Sequence, residues 1–128
     1  MSQVQTPISF GELLDKITIL EIKSERMTDQ AKLKNVRYEL GLLRKVWSES
    51  GATGVDDLHQ GLKAINERLW VIEDDIRDKE RAQEFDEQFI DLARSVYFTN
   101  DQRAEVKKEI NLRLGSELVE EKSYANVK

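Results

Sequence analysis

The chain of 128 residues is long enough for one hydrophobic core and too short for two independent ones. Its 20 Lys and Arg against 25 Asp and Glu leave a formal net charge of -5, which offers no positive field to recruit nucleic-acid phosphates or anionic lipid. The absence of Cys excludes disulfides, thiolate nucleophiles and Cys-held zinc or iron–sulfur centres, while 35% charged residues with a single Pro and 6 Gly is the balance of long helices with solvated outer faces.

Ser9 and Glu12 have the spacing of a capping box and predict the start of a first helix, on which Phe10, Leu13, Leu14, Ile17 and Leu20 form one apolar face reaching about Met27. Asp29 is placed to cap a second helix, whose seam is Leu33, Val36, Leu40, Leu43 and Trp47 and which ends before the Ser- and Gly-containing loop at 48–54. The third helix has the cleanest pattern, with Leu58, Leu62, Ile65, Leu69, Ile72 and Ile76 alternating steps of four and three. The periodicity breaks at 81–84 and resumes with Phe85, Phe89, Leu92, Val96, Thr99, Arg103, Val106 and Ile110, closing at Leu114 with Gly115 as C-cap. Thr99 and Gln102 could instead cap a fifth helix, although continuity is favoured. The expectation is therefore an all-α fold: one domain over 1–128, an antiparallel bundle of four or five helices, two shorter then two long, with 1–8 and 116–128 as flexible or loosely docked ends. No stretch has the roughly 18 apolar residues of a membrane span, and the opening residues lack the features of a signal peptide, so the cytoplasm is the expected location.

A charge on an apolar helix face needs a partner. Glu21 lies near the middle of the first helix's apolar face, and folding the first two helices about residue 28 brings it level with Arg37, which predicts a partly buried ion pair. The competing reading makes Glu21, Arg37 and Arg44 the lining of an anion pocket. On the third helix His59, Asn66, Trp70, Glu73 and Arg77 project within a narrow arc beside the seam, mixing an amide, an aromatic plane, a carboxylate and a guanidinium as a small polar binding site does. Thr99 and Arg103 interrupt the seam of the fourth helix, and a buried Arg needs a carboxylate or a bound anion, with Glu73 and Glu21 as the candidates. One His cannot supply the paired Glu-x-x-His motifs of a di-iron bundle or a Ser-His-acid set in this scaffold, and there is no Gly-rich phosphate loop. Neither a metal nor a cofactor is expected.

The opening Ile8-Ser-Phe-Gly-Glu-Leu-Leu-Asp-Lys-Ile-Thr-Ile-Leu-Glu-Ile-Lys-Ser-Glu-Arg26 resembles that of an uncharacterised bacterial and phage domain family. So do Leu69-Trp-Val-Ile-Glu-Asp-Asp-Ile-Arg77, Leu92-Ala-Arg-Ser-Val-Tyr-Phe-Thr-Asn-Asp101 and Gly115-Ser-Glu-Leu-Val-Glu-Glu-Lys-Ser-Tyr124. The resemblance spans nearly the whole chain and implies no established activity. A weaker likeness, of Leu14-Asp-Lys-Ile-Thr-Ile-Leu-Glu-Ile-Lys23 to the first helix of helical chorismate mutases, stops at the second half of the chain.

Two functions follow as expectations. The first is an interaction or assembly module in which Ile19 and Ile22 on the back of the first helix, with Tyr38 and Leu42 on the back of the second, meet another protein or a second copy. The second is an enzyme or binder of a small anionic metabolite, a sugar nucleotide or a carboxylate, held by Asn66, Trp70, Glu73, Arg77, Thr99 and Arg103. The missing enzyme constellations favour the first.

Overall fold

Four stretches of helical periodicity become four helices in the computed structural model, which describes residues 2–126: α1 Phe10–Arg26, α2 Gln30–Glu49, α3 Asp56–Arg81 and α4 Glu87–Arg113. The result is an all-α antiparallel bundle whose helices lengthen along the chain, with 17, 20, 26 and 27 residues.

Side chains satisfy the exposed N–H groups at three of the four helix starts. Ser9 Oγ accepts from the Glu12 N–H at 3.0 Å, Asp29 accepts from Ala31 and Lys32, and Asp86 accepts from Phe89. The start of α3 has no such cap, but Asp56 and Asp57 in its first turn oppose the positive end of the helix dipole. Only half of the expected capping box forms, because the Glu12 carboxylate turns to Lys107 Nζ at 2.7 Å.

α4 runs unbroken through Thr99, so no separate fifth helix starts there. Phe85 falls outside α4 and meets Phe89 edge to face, ring centroids 5.2 Å apart, closing the hairpin turn next to the left-handed Gln83 (φ 57°). At the other end Gly115 takes the left-handed conformation, φ 64°, that ends a helix without a Cβ penalty. Residues 116–126 form no helix and contact α4, with Lys122 Nζ donating to Asp101 at 3.2 Å and Glu120 3.5 Å from Lys107. The expected loose ends also include residues 1, 127 and 128, which lie outside the described residues.

α1 packs against all three other helices, whereas α2 packs on α1 alone. The core therefore gathers around α1, where Leu13, Leu14, Ile17 and Leu20 meet Val36 and Leu40 of α2, Leu62 of α3 and Ile110 of α4. Burying one such Leu contributes about 2 kcal/mol. α3 and α4 pair along their whole lengths, from Arg113–Asp57 at one end to Lys79–Asp86 at the other. Only the root of that hairpin lies under α1. From 67 to 98 no residue is buried, and this half of the hairpin projects as an arm.

The closest approach in the root is at Gly11, whose N–H donates to buried Asn111 Oδ1 at 2.7 Å. A Cβ on Gly11 would lie 2.5 Å from the Lys107 backbone oxygen, so α1 can touch α4 here only through glycine. Gly11→Ala is expected to lower unfolding stability by about 1–3 kcal/mol, by pushing α1 off α4. Gly41→Ala on α2, where an added Cβ meets nothing within 4 Å, is expected to raise it by about 0.5–1 kcal/mol. Urea denaturation of both variants reads the two signs, and a neutral Gly11→Ala would show that α1 has room to move.

Candidate functional site

Gly11, Asp15, Thr18 and Ile22 recur at steps of four, three and four, so α1 carries a second stripe beside its apolar seam. All four residues are buried. Asp15, 1% exposed, sits between α3 and α4. Its Oδ1 accepts from Asn66 Nδ2 and from Arg103 Nε, both at 2.9 Å, while Oδ2 accepts from Arg103 Nη2. Asn66 Nδ2 also donates to Thr18 Oγ1 at 2.8 Å, and Thr18 passes its own hydrogen to the Asp15 carbonyl at 2.7 Å. Among the described residues no buried side-chain nitrogen or oxygen lacks a partner, so this polar knot is satisfied from within.

Arg103 thus has the carboxylate its place in the seam demanded, but the partner is Asp15 and neither Glu73 nor Glu21. Asp15 escaped the sequence reading, although its spacing from Gly11, Thr18 and Ile22 marks a buried stripe. Glu21 also differs from expectation. It accepts from Arg44 Nη2 at 3.0 Å and lies 3.0 Å from His59 Nε2, while Arg37 is exposed and takes no part in that pair. Burial alone would raise the Glu21 carboxyl, but hydrogen bonds and charge from His59 and Arg44 outweigh it and hold it below its ordinary value.

The interface expected on the backs of α1 and α2 is largely closed. Ile22 is 1% exposed and Ile19 and Leu42 are half-buried, leaving Tyr38, 66% exposed, as the open member. α1 is apolar on two sides because one side meets α2 and the other the α3–α4 pair.

Five of the six expected ligand residues, Asn66, Trp70, Glu73, Arg77 and Arg103, line one open cavity of about 470 Å³ with Ile19 and Ile22 at its α1 side. Thr99 is buried and does not line it. Within this cavity the two guanidinium groups that could grip an anion already hold carboxylates: Arg103 has Asp15, and Arg77 has Glu73 at 3.4 Å. No group of three His, Asp or Glu among the described residues converges to hold a metal ion.

The cavity lies where the arm leaves the root. At seven-residue spacing, Asn111, Ala104, Tyr97 and Ile90 mark one stripe of α4, and His59, Asn66 and Glu73 one stripe of α3. α1 covers these stripes at the root, through Gly11 on Asn111, Asp15 on Asn66 and Glu21 on His59. Further out the same face is open: Tyr97 and Ile90 are 56% and 54% exposed. The polar contacts of α1 reach no further than Glu67 on α3 and Arg103 on α4.

The Asp15 knot sets two expectations. Asp15→Asn leaves the half-buried Arg103 charge without its counterion and is expected to cost about 3 kcal/mol, whereas joint Asp15→Leu and Arg103→Met is expected to cost less than either single change. Equal or additive losses in denaturation would show that the pair does not act as a unit. Glu21, with its lowered pKa, adds stability that is fully present above its ordinary value of 4.5 and is lost as pH falls through its folded value. Glu21→Gln is therefore expected to flatten the acid limb of a stability-against-pH curve, and an unchanged limb would remove Glu21 from the acid response.

Residues 4–127 match a family of unknown function, DUF6165, and the chain belongs to that family. No curated protein and no solved structure matches it. No helix among the described residues is long and apolar enough to cross a membrane.

Proposed function

We propose that this member of the family is a small helical interaction module, whose partner docks on the open face of the α3–α4 arm beside α1. The observation that carries this reading is the continuation of the two stripes beyond α1, with no residue from 67 to 98 buried. At the root these stripes are used for helix packing. On the arm the same register presents Glu73 on α3 and Tyr97 and Ile90 on α4, with half-buried Trp70 beside Glu73, and a partly apolar surface continuous with a packed interface is the kind a partner covers.

An anionic ligand in the cavity at the arm's base is the competing reading, supported by its five expected lining residues. Both guanidinium groups there are already partly neutralised, Arg103 by Asp15 and Arg77 by Glu73, which lowers the gain from binding another anion. A protein surface seated over Trp70 and Tyr97 does not depend on those groups.

The test places a photo-crosslinking residue at Tyr97 in the full chain, expressed in the cells that make it, with the same residue at Lys34 on α2 as control. The expected result is a discrete crosslinked protein from position 97, absent from position 34 and lost when Trp70→Ser is added. Background labelling alone from both positions, with a thermal shift by sugar nucleotides or dicarboxylates, would replace this reading with the ligand site.

A further inference from the structure

The segment after α4 stays on the bundle. Gly115 turns the chain, and residues 116–126 run back along α4 toward the arm: the Ser116 N–H donates to the Asn111 carbonyl at 2.8 Å, Glu120 lies by Lys107, and Lys122 sits on Asp101. Asp101 is one turn from Tyr97. Beneath this strap is a cavity of about 820 Å³, lined by Asn111 and Ala104, the root members of the α4 stripe that continues to Tyr97 and Ile90. Asn100 and Arg103 line both this cavity and the one at the arm's base. The strap is therefore seated on the root end of the docking face.

What holds it there is polar and weak. Every residue from 117 to 126 is exposed, and Leu118 and Val119, which share a groove with Pro7 and Ile8, remain 42% and 36% exposed, so no buried apolar side chain anchors the segment. Its ties are Glu120 at 3.5 Å from Lys107, Lys122 Nζ donating to Asp101 at 3.2 Å, and Asn126 Nδ2 donating to Glu105 at 2.9 Å. Contacts of this kind add little where solvent reaches them, and salt screens those between charges. Glu120 is also a surplus acid. Lys107 already donates to Glu12 at 2.7 Å and lies 4.0 Å from Asp15, and Asp15 holds Arg103, so Glu120 makes three carboxylates to two cations. When the strap lifts, Glu12 and Asp15 still match Lys107 and Arg103, and the root keeps its knot. The segment contains no helix, so it can lift without melting one.

We infer, resting on the interaction-module reading, that residues 116–126 are an autoinhibitory strap: they occupy the root end of the docking face, and the partner seats fully on α4 only when they lift. Its footprint then lengthens from Ile90 and Tyr97 to Ala104 and Lys108, about three further turns of α4.

Two measurements on the full chain test this. The chain has no Cys, so Ala125→Cys, beside the cavity, carries a single nitroxide. In low salt the label is expected to broaden the backbone amide signals of residues 101–108, and the signals are expected to recover in about 0.5 M salt. The same recovery is expected when Glu120→Lys and Lys122→Glu are introduced together, a swap that leaves the net charge unchanged. Both side chains are exposed, so the melting temperature is expected to hold. Signals that are unbroadened in low salt, or that stay broadened through the swap, would overturn the inference. A photo-crosslinking residue in place of Lys108, in the cells that make the chain, then reads the gating. It is expected to link within the chain when the strap is intact, and to capture the protein caught from position 97 only in the swapped form. Equal capture from 108 with and without the swap would show that the strap does not hold the partner off. Capture from 97 with none from 108 in either form would show that the footprint stops short of the strap. Each of these overturns the inference and leaves the docking face in place, whereas no capture from 97 in any form overturns both.

Discussion

A carboxylate removed from water inside a helical bundle must be met by donors from the helices around it, and in this chain that requirement fixes where α1 lies. Asp15 takes Asn66 from α3 and Arg103 from α4 at once, which ties α1 to both helices of the hairpin at one level. Apolar seams alone would let α1 slide by a turn, since Leu and Ile pack at many registers. The knot of Asp15, Thr18, Asn66 and Arg103 removes that freedom, and Gly11 against the Lys107 carbonyl sets the distance. Register in the root is thus set by hydrogen bonds and spacing, and depth of packing by the hydrophobic face.

The helices and their order were legible in the sequence because each carries a long run of steps of three and four with turn signals between them. The partners of the charges were not. Asp15 is followed by Lys16 in a chain rich in charge, and nothing local separates an acid facing the core from one facing water. Its burial follows from a stripe beside the seam, which becomes visible only when Gly11 and Thr18 are taken as deliberate small residues. Glu21 was level with Arg37 when two helices were folded about residue 28, but pairing depends on how the helices are rotated as well as on their level. The observed rotation gives Glu21 to Arg44, one turn pair further on, and to His59 across α3. The cavity residues fared better, because Asn66, Trp70, Glu73 and Arg77 share one helix face and that face is a local property. Thr99 is buried and does not line the cavity with them.

Root and arm divide the molecule by physical role. The root holds the buried side chains and the satisfied polar groups, and with the chain ends its formal charge sums to zero. The arm holds a two-helix seam that is half-buried at best, the unbalanced acids and the exposed aromatic rings. α2 belongs to the root but touches only α1, so it seals one apolar side of α1 without constraining the hairpin. Such a division concentrates stability in the root and leaves the arm's outer surface free of core duties.

Because the polar contacts of α1 end at Glu67 and α2 packs on α1 alone, the reach of the outer arm is an independent variable. Adding or removing seven residues from α3 together with seven from α4 preserves the seam and returns every outward residue to its own face, so it changes length without changing aim. The protein is in this sense an adjustable rod on a fixed clamp. A chain with the same root could carry the same outer face at a different height, with the segment between Asn66 and Thr99 changed in length and the Asp15 knot left as it is.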